Sequence, residues 1–543
     1  MKSAIILVFI VFSNFIFAQN LNFTLQRSKE FEVDYKDSEV VLIKEFSKND
    51  LVVVRSYLGR SFSNLNGFYI EHFDANLKSK SNFEFRFNRT KDQKNGTIIG
   101  VTTIEQNIVV IEIFYDSKQK QSICQANIIG QDYKITTKEL FRLSNEEVSK
   151  YGNLALDHNA YIQSRSVWEN QTTNEIYSEY ENGQYVNFNE YPSNFFLRTN
   201  TNGLSIIIDF YNDDSKNLKI YSFDNELNKK IETNFKKEVK DKDYIYQTIQ
   251  LDPNSDIFYL LAKSYSDELK KKKEGGRYDF ELTKISENNQ KSTLIQTNEN
   301  HINRLKLVFN NDKIIGVGFY SKENENRFGG ICYYSFNSNQ LESINSKISP
   351  FTEQFLMDKY GKVKNKELKD LTFKNVYFSN NDLFFDAEEQ YIRLSGSSFN
   401  GVSVGVTRET FLIYNDIVCS RLNQNGDLVW VRNINKSQGT KDDESFISYT
   451  SVNKDGLSYF FINTGEKINK ISNGRIEFTQ TRKNKSNLNV IWVNSDGNFE
   501  YKELLDDENS AVPFMISKGT LINNAVIFHG KKGKSNQLLK ISL

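Results

Sequence analysis

Proline is nearly missing: the 543-residue chain has 4, alongside 3 cysteines, 3 methionines, 3 tryptophans and 4 histidines. Each shortage excludes something. With 13% aromatics and only 27 glycines, so little proline argues for packed strands rather than disorder. Cys124, Cys332 and Cys419 are too few and too far apart for a disulfide framework. Each sits in a strand-like run, so they read as buried thiols acting as small hydrophobes. His72, His158, His301 and His529 fall in different parts of the chain with no i, i+4 pairing. A zinc site or a nucleophilic triad is therefore not indicated. No D-x-D-x-D-G calcium loop occurs either. No metal and no organic cofactor is expected.

Charge of one sign is also lacking. Lys+Arg and Asp+Glu are both 69, and a nucleic-acid partner would call for a basic excess. No run of 18 apolar residues appears, so no segment reads as a membrane span. The N-terminus does read as a signal peptide over residues 1–18. Lys2 is the charged part, Ala4 to Phe12 the apolar run, and Phe17-Ala18-Gln19 the cleavage site. The expected compartment is the periplasm or the outer-membrane surface, with full secretion as the alternative.

What the chain does have is a repeat. A polar turn residue followed by an apolar run recurs at Asp50, Asn107, Gly203, Asp256, Asp312, Asp382, Gly456 and Asn524. Continuous apolar runs suit strands buried on both faces. A second pattern follows each run: an alternating strand, then a turn rich in Asn, Asp and Gly, as at Leu218 to Glu226 and Val490 to Gly497. Alternation suits outer, half-exposed strands. Each unit thus holds about four short strands. The reading is an all-β fold: a β-propeller of about eight four-stranded blades, with seven as the alternative. Residues 19–543 form the single propeller domain.

The last unit stops after its third strand, at 538–543. The segment 21–26 is an unpaired strand candidate, and pairing the two would close the ring and remove an edge. Three segments depart from the unit. Residues 146–193 form an insertion carrying Tyr151, Tyr161, Trp168, Tyr177, Tyr180, Tyr185 and Tyr191. Residues 351–366 read as a short helix after Pro350. Residues 391–413 read as a long hairpin rich in Gly, Ser and Thr.

Three stretches carry a resemblance. Asp386-Ala-Glu-Glu-Gln-Tyr391, Tyr414-Asn-Asp-Ile-Val418 and Leu422-Asn-Gln-Asn-Gly-Asp-Leu-Val-Trp430 resemble a family of secreted propeller-like proteins common in Bacteroidetes. Phe309 to Tyr320 resembles the preceding unit of that family. The likeness covers roughly 194–543. It implies a propeller and an exported protein, and no chemistry.

Local motifs add little. Asp213-Asp214, Asp442-Asp443-Glu444 and Asp506-Asp507-Glu508 follow strands and read as solvated turns rather than a glycosidase pair. Ser495-Asp-Gly497 resembles part of the sialidase Asp box, without the Thr-Trp that should follow. Gly426-Asp-Leu-Val-Trp430 resembles the tryptophan-docking motif of quinone-dependent propellers, but occurs once. Both read as turn chemistry.

Tyrosine and tryptophan offer broad, rigid contact surfaces with a polar tip. The candidate binding residues are therefore Tyr161, Trp168, Tyr177, Tyr180 and Tyr185 in the insertion, and Tyr391 and Arg393 on the hairpin. No catalytic and no metal-binding residue is assigned. The expected function is a non-enzymatic binding or scaffold protein of the periplasm or cell envelope. Its partner would be an envelope protein or glycan. The alternatives are a subunit of an outer-membrane secretion or transport assembly of type 9 kind, and a glycan-active hydrolase or lyase with carboxylates at the axial mouth.

Overall fold

The computed structural model describes residues 21–33, 38–47, 50–58, 65–152, 179–181, 184–186, 195–271, 277–322, 327–363, 367–396, 408–441, 443–480 and 486–543. The signal peptide expected at 1–18 lies outside these. Among the described residues no helix is long and apolar enough to cross a membrane.

Each apolar run of the repeat is the second strand of an antiparallel sheet. Asp50–Leu58, Asn107–Asp116, Gly203–Phe210, Phe258–Ser264, Lys313–Ser321, Asp382–Gly396, Leu457–Thr464 and Ala525–Lys532 all hold this place. Eight copies make eight radial sheets, or blades, among the described residues. They occupy 39–86, 93–144, 195–237, 244–295, 301–350, 371–434, 449–505 and 520–542. The innermost strand of each blade lies beside that of the next. The last blade packs against the first, so the ring is closed.

Burial is distributed differently from the alternation expected in the third strands. Lys216–Phe223 and Asn487–Val493 are buried along their whole length, and Gly330–Asn337 is buried in all but its last residue. The second and third strands occupy the thick middle of a blade, where a neighbouring blade covers both faces. The outermost strands alternate instead, as in Ser343–Pro350, because one face meets water. The core accordingly lies between blades. One cluster joins Ile111 and Ala126 of blade 2 to Ile206 and Tyr221 of blade 3; another joins Val490 of blade 7 to Val526 and Leu539 of blade 8.

The ring closes as the two chain ends suggest. Thr24–Arg27 pairs antiparallel with the last strand, Thr24 opposite Ser542 and Arg27 opposite Leu539. It supplies the outermost strand of blade 8. Ser28 fastens the junction: its amide donates to the Leu538 carbonyl, and its Oγ accepts from the Leu538 amide, both at 2.9 Å. Phe23 packs edge-on against Tyr459 of blade 7.

Blades are also locked by the turn before their fourth strand. In this turn an Asp or Asn side chain accepts backbone N–H groups two and four residues on, as Asp74 does from Asn76 and Lys78, and Asn423 from Asn425 and Asp427. The turn then needs a left-handed residue. Leu77, Tyr133, Leu227 and Leu341 fill that place in blades 1, 2, 3 and 5. Leu77, Leu227 and Leu341 are buried in the core shared with the preceding blade, and Tyr133 stacks on Phe83 of blade 1. In blades 6 and 7 the residue is Gly426 or Gly497, and an aromatic of the preceding blade, Tyr333 or Trp430, fills the space. Trp430, read from sequence as turn chemistry alone, is therefore a docking residue between blades.

The departures from the repeat are local. The helix after Pro350 spans Glu353–Tyr360, capped by Thr352 and ended by the left-handed Gly361. It is shorter than the expected 351–366. The insertion opens with the helix Asn145–Tyr151, started by a Ser144–Glu147 capping box. Within it, Glu179–Glu181 pairs with Gln184–Val186. In blade 6 the second and third strands, Asp382–Gly396 and Arg408–Leu422, run on beyond the blade as a two-stranded arm, with Gln390 opposite Tyr414 at its base.

Candidate functional site

Blades 6, 7, 8 and 1 enclose a cavity of about 430 Å³ at the inner edge of the ring. Val41 and Leu42 of blade 1 give it an apolar wall. The polar wall is built from Lys374, Tyr377, Tyr414, Glu444, Tyr449 and Lys518, with short hydroxyl residues between them. Lys374 is placed by a β-bulge: the register of its strand shifts between Phe373 and Asn375. Bulges re-aim a side chain out of the regular pleat.

Behind this wall lies a chain of buried charges. The Lys436 ammonium is fully buried and donates to Glu388 Oε1 at 2.7 Å, the Tyr414 carbonyl at 2.9 Å and Gln438 Oε1 at 3.2 Å. Glu388, equally buried, accepts on its other oxygen from the Ser448 hydroxyl and faces Lys374 Nζ at 3.4 Å. Burial lowers the pKa of Lys436 and the Glu388 carboxylate opposes that shift. The chain continues outward. The Lys436 amide donates to Asp416, which also binds Lys359 Nζ at 2.7 Å; Lys359 in turn meets Glu389 at 2.9 Å. Asp358 on the same helix receives Arg432 through both carboxylate oxygens.

A second buried carboxylate, Asp386, joins blades 6 and 7. It accepts from Tyr449 OH and Ser451 Oγ, each at 2.6 Å, and from Asn375 Nδ2 at 3.4 Å. Burial pushes its pKa up to about 6, against those three hydrogen bonds. At the arm's base, Tyr414 OH donates to Glu444 Oε2 at 2.6 Å and accepts from Gln390 Nε2 at 3.0 Å. Every one of these carboxylates holds a protein partner, and networks satisfied in this way rigidify a site.

The residues singled out from sequence fall elsewhere. Tyr161, Trp168 and Tyr177 lie outside the described residues. Tyr180 and Tyr185 are Cα partners in the small hairpin of the insertion, and their side chains lie outside the description. Tyr391 and Arg393 sit on the arm: Tyr391 OH accepts from Asn415 at 3.5 Å, and the Arg393 guanidinium lies 5.3 Å from the Phe411 ring centre. Neither lines the cavity. The acidic runs divide. Asp213 and Asp506 make local turn contacts, with Tyr211 OH and the Asn509 amide. Glu444, read as part of a solvated turn, instead lines the cavity. His72, His301 and His529 are spread over blades 1, 5 and 8 and lie apart from it. The three cysteines are free and buried.

Sequence reasoning missed Lys374, Glu388, Lys436 and Lys518. One signal was present. Asp386-Ala-Glu-Glu389 places three carboxylates inside a strand whose neighbours are Phe384, Phe385 and Ile392, and buried charges require partners.

No protein-family model matches the chain, and no curated protein sequence does. Solved structures match at 8% identity. An acylaminoacyl peptidase of Pyrococcus horikoshii matches over 92% of this chain and 59% of its own, with a TM-score of 0.35. An uncharacterized protein of Listeria monocytogenes matches over 81% and 90%, with a TM-score of 0.34. Semaphorin 2a of Drosophila matches over 95% and 75%, with a TM-score of 0.33. The chain spans under two thirds of the length of the peptidase structures it matches. Likeness at this level carries no functional argument.

Proposed function

We propose that this protein is a non-enzymatic binding or scaffold protein of the cell envelope, exported by its N-terminal signal, with the cavity of blades 6, 7, 8 and 1 as its ligand seat. One observation carries the reading: the carboxylates and most hydroxyls around the cavity are tied to protein partners. Asp386 and Glu388 are turned into the blade interface, Tyr414 and Glu444 bind each other, and Lys436 has three acceptors. A hydrolase or lyase needs a carboxylate or phenol aimed at substrate with a base or acid opposite. A wall already satisfied is instead a preformed surface, and preformed surfaces lose little on binding. The partner class remains the envelope protein or glycan expected from the signal peptide and the aromatic insertion.

The test is capture of partners from the native envelope by the wild-type protein and by Thr450→Trp, which fills the cavity from its lining. Loss of the captured component in the folded variant supports the reading. Equal capture by both places the binding surface elsewhere. Turnover of an envelope glycan by the purified protein would overturn the non-enzymatic assignment.

A further inference from the structure

Six hydroxyl groups of the cavity wall share one property. Tyr377 donates to the Ser451 carbonyl, Tyr449 and Ser451 to Asp386, Ser448 to Glu388, Thr450 to the Ile516 carbonyl, and Ser517 to the Ser445 carbonyl. Their hydrogens all point into the protein. What these six offer a ligand is oxygen lone pairs. A ligand seated here must bring hydrogen-bond donors of its own.

The charge of the wall is the other half. Lys374 and Lys518 line the cavity. The one carboxylate in the lining, Glu444, is bound by Tyr414. Lys518 meets no carboxylate within ion-pair distance among the described residues, and Lys374 has its buried Glu388 only at 3.4 Å. The setting agrees. The innermost strands of the eight blades carry seven Lys or Arg against two Glu, in a chain with no net charge. Two ammonium groups against one hydrogen-bonded carboxylate leave the lining with a cationic excess, which favours ligands of the other sign.

From these two features we infer that the cavity binds an acidic saccharide, a uronic-acid unit of a glycan. Lys374 and Lys518 meet the carboxylate, and the hydroxyl oxygens of Tyr377, Tyr449, Ser448 and Ser517 accept from the sugar hydroxyls. An acidic peptide fits less well, because it offers one N–H per residue along an extended chain, whereas a sugar ring offers several donors around one small perimeter. The volume suits one or two sugar rings. This inference rests on the cavity being the ligand seat.

The experiment is calorimetric titration of the full-length mature protein with three probes: a galacturonic acid trisaccharide, the matching neutral galactose trisaccharide, and a short oligoglutamate. The uronate should bind, and the neutral sugar should bind at least about tenfold more weakly, as loss of a charge-assisted hydrogen bond implies. Lys518→Met and Lys374→Met should each weaken uronate binding about tenfold, with affinity falling as salt rises. Lys518→Met is the decisive variant, since no buried acid depends on it for stability. Equal binding of neutral and acidic sugar, unchanged by Lys518→Met, overturns the acidic-ligand inference while leaving the cavity as a glycan seat. Binding of oligoglutamate alone, lost in Lys518→Met, overturns the saccharide in favour of a peptide. Binding of none of the probes overturns the inference. If Thr450→Trp also retains the envelope partner, the ligand-seat reading falls with it.

Discussion

Trp430 of blade 6 and Gly497 of blade 7 occupy one space: a Cβ on Gly497 would stand 2.9 Å from the indole Cγ, and the indole Nε1 donates to the Ser495 carbonyl at 3.0 Å. Gly497 has φ +82°, a conformation that costs other residues about 1 kcal/mol or more. The same turn in blades 1, 3 and 5 carries a leucine that enters the preceding blade. The lock is thus kept while the direction of insertion reverses. In blades 6 and 7 the older neighbour sends the aromatic, and the turn yields the room.

Gly497→Ala should therefore destabilise the protein by about 2–3 kcal/mol, from backbone strain together with displacement of the indole. Urea unfolding measures it. Coupling is the sharper readout. In the Trp430→Ala background the steric part disappears, so Gly497→Ala should cost roughly 1 kcal/mol. Additive effects of the two substitutions would show that the cost of Gly497→Ala does not come from displacing the indole.

Lys436 and Glu388 should behave as a pair. Lys436→Met leaves Glu388 buried beside a more distant Lys374, and breaking a buried pair from one side costs about 3–5 kcal/mol. Adding Glu388→Leu should recover much of that loss. Thermal unfolding of the two single variants and the double variant decides it. A double variant as unstable as the sum of the singles would rule out the pairing as the source.

Acid should loosen the seam between blades 1 and 8. His529 is fully buried there, and desolvation, with Arg55 and Lys531 adding repulsion, holds its pKa well below 6.5. Glu71 is the carboxylate facing Arg55. A histidine held neutral in the fold takes up a proton on unfolding. Its contribution is complete above pH about 6.5 and is lost as pH falls below that value. Asp386 and Asp209 act in the opposite sense. Burial lifts both to about 6, so their contribution is present in acid and lost as pH rises through 6. His529→Asn isolates the first effect. Its unfolding free energy relative to wild type should improve steadily between pH 6.5 and 5; a difference independent of pH would refute the assignment.

The insertion can be removed only if its first helix stays. Glu147 of that helix binds Lys219 of blade 3 at 3.0 Å, and Asn217 Nδ2 donates to the Tyr151 carbonyl at 2.8 Å. Replacing residues 153–194 with a flexible Gly-Ser linker should leave a cooperative fold with a melting temperature within a few degrees of wild type. Replacing 146–193, the bounds read from the break in the repeat, should lower it further, because Lys219 and Asn217 each lose one buried contact and keep only Glu232 and Ser215. Equal melting temperatures for the two would make the helix dispensable.

The ring was legible because its signal is local and repeated. Runs such as Leu51-Val-Val-Val54 and Leu204-Ser-Ile-Ile-Ile208 mark second strands buried on both faces, and eight of them set the blade count. The missing last strand was legible from an edge that would otherwise be left unpaired. The cavity was not legible. Lys374, Tyr414, Lys436, Glu444, Tyr449 and Lys518 are spread over about 145 residues, and only the radial packing of three blades brings them together. Glu444 was hidden in an acidic run whose other members do face water. Third strands were misjudged for a related reason: alternation reports one exposed face, and the cover supplied by the next blade is not written in the strand itself.

The pairing of Thr24–Arg27 with the final strand sets an order of assembly. Thr24–Arg27 waits for Ser535–Ser542, and joining them closes a loop of some five hundred residues. Loop closure of that length costs roughly 5 kcal/mol of chain entropy. Before the C-terminal strand arrives, the N-terminal segment has no edge to join. Blade 8, carrying that segment, is then the natural last step of folding, and a chain cut short of residue 539 keeps both ends of its ring unsealed.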